Sequence, residues 1–227
     1  MAGSTSRSGA WPRPYRLIGG FLLAAALVLG CVHELGDRIV EPLLPVYANA
    51  ISLLDDRFTV DDARLSREGT GEILRFRVNL ARPLLVGAQE WDPFGWGRRP
   101  AGGFQITYTV GGTLQFDALL LIVALAWPAR GARELGWRLG IAAPLGAILL
   151  LLDIPITVVA ELRNFLATVA DPNGVSGWMV ASRFLMGGGG MVLALIAALL
   201  SILAGQRLSD SGQVPVSETS RPARASR

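Results

Sequence analysis

Residues 139–160 read LGIAAPLGAILLLLDIPITVVA, with Asp153 the one ionisable side chain among them. A helix rises about 1.5 Å per residue, so this run covers roughly 33 Å, enough to cross a hydrocarbon core of about 30 Å. Its apolar residues are clumped rather than spread at the spacing of a soluble core, which predicts a transmembrane helix. The rest of the chain repeats the pattern on both sides. Residues 184–204, FLMGGGGMVLALIAALLSILA, carry no charge, and residues 114–128 carry only Asp117. Residues 17–32, LIGGFLLAAALVLGCV, are again uncharged. That last run covers only about 24 Å, and extension to Tyr15 and Leu35 completes it, with Arg13 and Arg16 anchoring its inner end.

Composition agrees. Of the 227 residues 51% are hydrophobic, and the mean hydropathy of +0.43 is high for a soluble domain. All 21 basic residues are arginine. A pI near 9.7 would point to nucleic acid if they formed one patch. Instead they sit beside the apolar runs and in an acid-rich middle region, so orientation in a bilayer explains them and no nucleic-acid partner is expected. Arg7, Arg13 and Arg16 precede the first run, Arg130, Arg133 and Arg138 fill the connector before residue 139, and Arg207, Arg221, Arg224 and Arg227 follow the last. The loop before residue 184 carries only Arg163 and Arg183. Because positive charge stays on the cytoplasmic side, both termini are expected there. The expected protein is a multi-pass component of the cell inner membrane.

Between the first two runs the period changes. A Pro-bounded stretch, EPLLPVYANAISLL (41–54), predicts an amphipathic helix near residues 45–55. In residues 73–80, Leu74, Phe76, Val78 and Leu80 alternate with Ile73, Arg75, Arg77 and Asn79, and in 104–110 Phe104, Ile106, Tyr108 and Val110 alternate with Gln105, Thr107 and Thr109. Period two predicts strands, residues 57–65 give a weaker third, and SREGTGE (66–72) reads as the turn into the next strand. Three short strands cannot bury much alone, so this sheet needs the helix, the bilayer surface or a partner to cover its apolar face. The expected fold is therefore membrane α-helical, with about four transmembrane helices (15–35, 114–128, 139–160 and 184–204). The last three form a membrane region over 114–204. Residues 36–113 form a small outward-facing α+β subdomain with a three-stranded antiparallel sheet, and 1–14 and 205–227 form disordered cytoplasmic tails.

Residue types narrow the chemistry. One cysteine, Cys31, and one histidine, His33, exclude an internal disulfide, a cysteine zinc site and multi-histidine metal centres. Two residues apart on a helix, they point to opposite sides and do not form a nucleophile–base pair. LVLGC (27–31) is a degenerate lipobox, and an uncleaved signal-anchor is the preferred reading of it. No Walker motif, GxGxxG fingerprint, nucleophile elbow or HExxH occurs, so no catalytic residue and no cofactor is expected. Asp55-Asp56 and Asp61-Asp62 lack EF-hand spacing and read as a solvated strand end.

Charge inside the spans is the sharper signal, because an ionisable group there is costly. Asp153 lies two-thirds of the way outward along its run, Asp117 near the outer end of the second, and Gly187, Gly188, Gly189 and Gly190 at about the depth of Asp153. Asp117, Asp153 and Arg183 are the candidate intramembrane polar site, and the four glycines a candidate surface for close helix packing. The bland alternative is an interhelical ion pair, with Arg163 and Arg183 reaching to the surface. Trp91, Phe94 and Trp96, in WDPFGWG (91–97), are candidate aromatic contacts or interface anchors.

The order of these parts resembles a known family. EPLLPVYANAISLL (41–54) follows a first span, and TYTVGGTLQFDALLLIVAL (107–125) runs from the strand region straight into a helical hairpin, with a final span and a basic tail. This layout is similar to that of the exosortase H-associated small membrane proteins. The resemblance implies a non-catalytic accessory or scaffold that assists an exosortase-type protein-sorting system, with another membrane protein as partner. The chain is not itself an exosortase: it has half the expected spans, and Cys31 lacks the arginine partners such enzymes use. The competing reading is a binding or transport-accessory component that contacts a lipid or ion through Asp153, Asp117 and the glycine patch.

Overall fold

In the computed structural model, the described residues are 14–69, 71–81, 84–86, 89–91, 104–170 and 177–211. The chain opens with α1 (Pro14–Val40), a single turn of 3-10 helix at Glu41–Leu43 and α2 (Leu44–Leu54). Pro42 and Pro45 lack the amide hydrogen that an interior helical turn would use, and the α-helix gives way to the 3-10 turn where they stand. Strands β1 (Phe58–Glu68), β2 (Gly71–Leu80) and β5 (Phe104–Thr109) form a three-stranded antiparallel sheet in the order β1-β2-β5. A separate hairpin, β3 (Leu84–Val86) with β4 (Gln89–Trp91), was not legible as period two.

The alternation read from the sequence fixes the register. Leu74, Phe76 and Val78 of β2 face Leu65, Ala63 and Val60 of β1 on one side and Tyr108, Ile106 and Phe104 of β5 on the other. The turn from β1 to β2 is tighter than residues 66–72 suggested. β1 continues to Glu68, and Gly69, at φ 61°, supplies the left-handed conformation that a side chain would resist.

β5 passes into α3 (Val110–Ala126) with no loop. Thr109 is the N-cap: its Oγ1 accepts a hydrogen bond from the Gly112 amide at 3.1 Å. Then follow α4 (Ala132–Ala170), α5 (Gly177–Phe184), a π-helical turn at Leu185–Gly189 and α6 (Gly190–Ser211). Among the described residues three stretches are long and apolar enough to cross a membrane: Leu17–Leu54, Ala132–Ala167 and Gly177–Ser211. The expected fourth, α3, is apolar but only 17 residues long. It packs between α1, α4 and α6.

What covers the sheet is α2 and the far end of α4. Helix α4 continues ten residues beyond the apolar run that ends at Ala160, and Val158, Val159, Leu162 and Leu166 join Tyr47, Ile51, Phe58, Leu74 and Phe76 in one buried core. Phe104 and Phe165 meet edge to face at 5.0 Å. At the opposite end of the bundle a second core uses small residues, with Ala124, Ala142, Ala194 and Ala198 fully buried around Leu120. Outward from both cores, Leu23, Leu27, Ile148, Leu193, Leu200 and Leu203 are exposed. An exposed apolar belt of this extent suits hydrocarbon better than water.

Candidate functional site

Helix α4 carries Asp153, Thr157 and Glu161 at successive i, i+4 positions, so they share one face. That face meets β5 and the first turns of α3. A pocket of about 260 Å³ opens there, lined on its polar side by Tyr108, Thr113, Gln115, Asp153 and Thr157, and on its apolar side by Phe116, Ile154, Leu185 and Met186. Its wall holds one carboxylate and no arginine.

The groups around it are incompletely satisfied. The hydroxyl of Tyr47 and Oδ1 of Asp117 are buried and have no hydrogen-bond partner among the described residues, and the buried Tyr108 hydroxyl faces the Glu161 carboxylate. Tyr47 is fully buried, and its hydroxyl lies within electrostatic reach of Asp117 and Asp153. Tyr108 is pushed well above the usual phenol range, first by burial and then by the neighbouring Glu161 and Asp153 carboxylates. Asp117 sits seven residues into α3, against the bare backbone of Gly146 on α4. A Cβ added to Gly146 would come within 2.7 Å of Asp117 Oδ1. Buried polar groups without partners are uncommon in native structures, and each calls for an explanation.

The expected charged triad does not assemble. Asp117 and Asp153 lie within electrostatic range of each other, whereas Arg183 is exposed on α5 and pairs with neither. Arg163 points elsewhere too. Its Nε donates to Asp55 Oδ2 at 2.6 Å, and its guanidinium stacks on Trp178 at 4.4 Å. Asp55 closes α2 and also receives Arg57, from Nε at 2.9 Å and from Nη2 at 2.7 Å. Burial alone would raise the Asp55 carboxyl, but the hydrogen bonds from Arg57 and Arg163 outweigh it and hold the group down at about 2. Asp55 is therefore a structural anchor between the sheet domain and α4, not a solvated strand end.

The glycine patch works differently from the expectation of touching backbones. Gly187 and Gly188 face open space, and Gly188, at φ 106°, provides the irregular turn that divides α5 from α6. Gly189 receives the Phe184 ring and Gly190 the Phe116 ring; a Cβ at either would overlap that ring. The close backbone approach lies instead at Gly205, where an added Cβ would stand 3.2 Å from the Arg138 backbone. Trp91 ends β4, but its side chain, together with Phe94 and Trp96, lies outside the described residues.

Thr157 and Tyr108 of the lining, and Tyr47 behind it, escaped the sequence reading as polar groups. Thr157 could have been found from its spacing after Asp153. Tyr108 read only as the apolar face of a strand, and Tyr47 as one position of an amphipathic helix. No family model matches the chain, and no curated protein or solved structure is similar to it.

Proposed function

We propose that the chain is a four-span protein of the cell inner membrane that acts as a non-catalytic accessory, holding a small ligand in the pocket beside Asp153. The observation that carries the reading is the pocket itself. An acidic, half-apolar concavity with the unpartnered Tyr47 hydroxyl and Asp117 Oδ1 behind it suits capture of a ligand. The lone thiol and imidazole, Cys31 and His33, stand on α1 and do not line it, which favours binding over chemistry.

Support for counting α3 as a span comes from its packing along α1. A Cβ at Gly20 would meet the Ala126 carbonyl at 3.3 Å, and one at Gly36 would meet Val110 and Leu114 at 3.1 Å. The two helices are therefore antiparallel and overlap from Gly20 to Gly36 of α1. Arginine placement puts both termini in the cytoplasm and the sheet domain outside, so the pocket opens in the outer leaflet. Assistance to an exosortase-type sorting system remains a proposal resting on the layout of the chain alone.

Two measurements test the reading. A reporter fused after Arg207 is expected to be active as a cytoplasmic fusion, and one near Gly97 as an exported fusion; the reverse pattern sinks the topology. Native mass spectrometry of the detergent-purified protein is expected to retain one bound amphiphile. Gln115→Trp, at an exposed position on the pocket mouth, is expected to lose it while the ligand-free protein keeps the melting temperature of ligand-free wild type. A wild-type protein that retains nothing at any lipid concentration removes the binding role.

A further inference from the structure

The lining of the pocket is selective about charge and about hydrogen bonding. The Asp153 carboxylate can only accept, Tyr108 turns its proton toward Glu161, and the Thr157 hydroxyl and Gln115 amide oxygen are able to accept as well. Thr113 already spends its proton on the Thr109 carbonyl at 3.1 Å, so toward the pocket its oxygen can only accept. Glu161 and Asp117 stand behind the wall, with Tyr108 in the field of the first and Tyr47 in that of the second. An anionic ligand would face the Asp153 carboxylate with no cationic side chain in the lining to offset it. A neutral ligand would leave Asp153 uncompensated among apolar side chains, which is costly. A bare divalent cation finds too few ligands, because among the described residues no three carboxylates, histidines or cysteines come together.

A primary ammonium group meets every condition. It carries three donors and no acceptor, and it supplies the charge that Asp153 lacks. A quaternary ammonium has no donors and is usually held in an aromatic cage, whereas Phe116 and Tyr108 are the two rings lining this pocket. The opposite wall, formed by Ile154, Leu185 and the exposed Met186, offers apolar surface to whatever the ammonium is attached to.

We propose that the pocket between β5, α3, α4 and the π-helical turn binds a primary ammonium group, with Asp153 as its counter-ion and Thr157, Gln115 and Tyr108 as its hydrogen-bond acceptors. The inference rests on the binding role argued above and names the chemistry of the ligand. Two sources share that chemistry, the ethanolamine headgroup of a phospholipid and a free water-soluble amine.

The test uses the full-length protein in micelles doped with phosphatidylethanolamine, phosphatidylcholine or phosphatidylglycerol, or with free ethanolamine. Retained adducts are counted by native mass spectrometry, and thermal melting is followed in parallel. Phosphatidylethanolamine is expected to bind at least about tenfold more tightly than phosphatidylglycerol, the factor that one charge-assisted hydrogen bond supplies. Phosphatidylcholine is expected to be intermediate. Asp153→Asn, which keeps size and hydrogen bonding, is expected to erase the preference. The headgroup series on the wild type decides the matter even if that variant fails to accumulate. Protection by free ethanolamine equal to that by the lipid identifies a soluble amine as the source, and protection by the lipid alone identifies the headgroup. Equal retention of all three lipids, lost in Gln115→Trp, overturns the ammonium inference while leaving the binding role standing. No retention of any lipid together with no protection by free ethanolamine overturns both.

Discussion

Helix α4 carries two buried polar clusters, and they are built on opposite principles. Near its start, Arg138 and Glu134 are almost wholly removed from solvent and bonded to each other. The guanidinium also donates to the carbonyls of Trp127 at 2.6 Å and Ala124 at 3.2 Å, and Glu134 accepts the Arg130 amide at 2.9 Å. The free carbonyls at the end of α3 and the connector after it are thereby tied to α4, and Gly205 lets α6 pass close over the same point. Fifteen residues further along, Asp153 faces a pocket, with the Tyr47 hydroxyl and Asp117 Oδ1 left unpartnered around it. The first cluster is closed, with only the Arg138 Nε left over. The second is open. The contrast teaches that a buried ionisable group marks a ligand site through what remains unsatisfied around it, since burial alone is common to both.

That contrast can be broken by substitution. The largest effect is expected at the closed cluster. Arg138→Leu strands the Glu134 carboxylate and should cost about 3–5 kcal/mol, read as a lower melting temperature in detergent. The double variant Arg138→Leu/Glu134→Leu should recover most of that loss, and failure to recover would mean that the carbonyl contacts, not the charges, hold α3.

Asp55 comes next, because it lies beside the sheet like the open cluster yet is satisfied like the closed one. Asp55→Asn should cost about 1.5–3 kcal/mol, the worth of hydrogen bonds to a charged group. Its pH dependence has a definite sign. The carboxyl sits at about 2 when folded against 3.8 for the ordinary group, so its contribution is complete above the ordinary value and is lost as pH falls through about 2. Acid melting curves of wild type and Asp55→Asn should therefore converge in that window. Curves that stay parallel would remove Asp55 from the anchor.

Gly190→Ala should cost about 1–3 kcal/mol by overpacking the Phe116 ring. Because Phe116 lines the pocket, ligand retention should fall along with melting temperature. The smallest effect on stability belongs to Asp153→Asn, below about 1 kcal/mol, in line with interhelical polar contacts generally. A large loss of stability there would make the open cluster structural and erase the distinction.

The legible part of this molecule was its periodicity. Leu74, Phe76 and Val78 announced the buried face of β2, Pro42 and Pro45 the end of α1, and the apolar runs the long helices. Less legible was anything set by contacts between distant segments. Arg163 and Arg183 look equivalent as flanking charges, yet only a fold that brings α2 onto α4 shows Arg163 bonded to Asp55 and Arg183 left in the open. Asp153 was visible as an isolated acid in an apolar run. Its companions were hidden because Tyr47 and Tyr108 also satisfy the hydrophobic pattern of their own elements, and a phenol's polar tip leaves no trace in that pattern. The glycines misled for a related reason: composition reveals a missing side chain but not whether a backbone, a ring or open space fills the gap.

The loop-free passage from Thr109 into Val110 has a consequence for how this sequence tolerates length changes. A helix turns about 100° with each residue. One residue inserted between Val110 and Leu114 would leave the strand in place and swing the rest of α3 by that angle, carrying Asp117 away from Gly146 and Phe116 away from Gly190. A change of chain length should thus be refused at the junction, where a single codon would act as a change of gear between the sheet and the bundle.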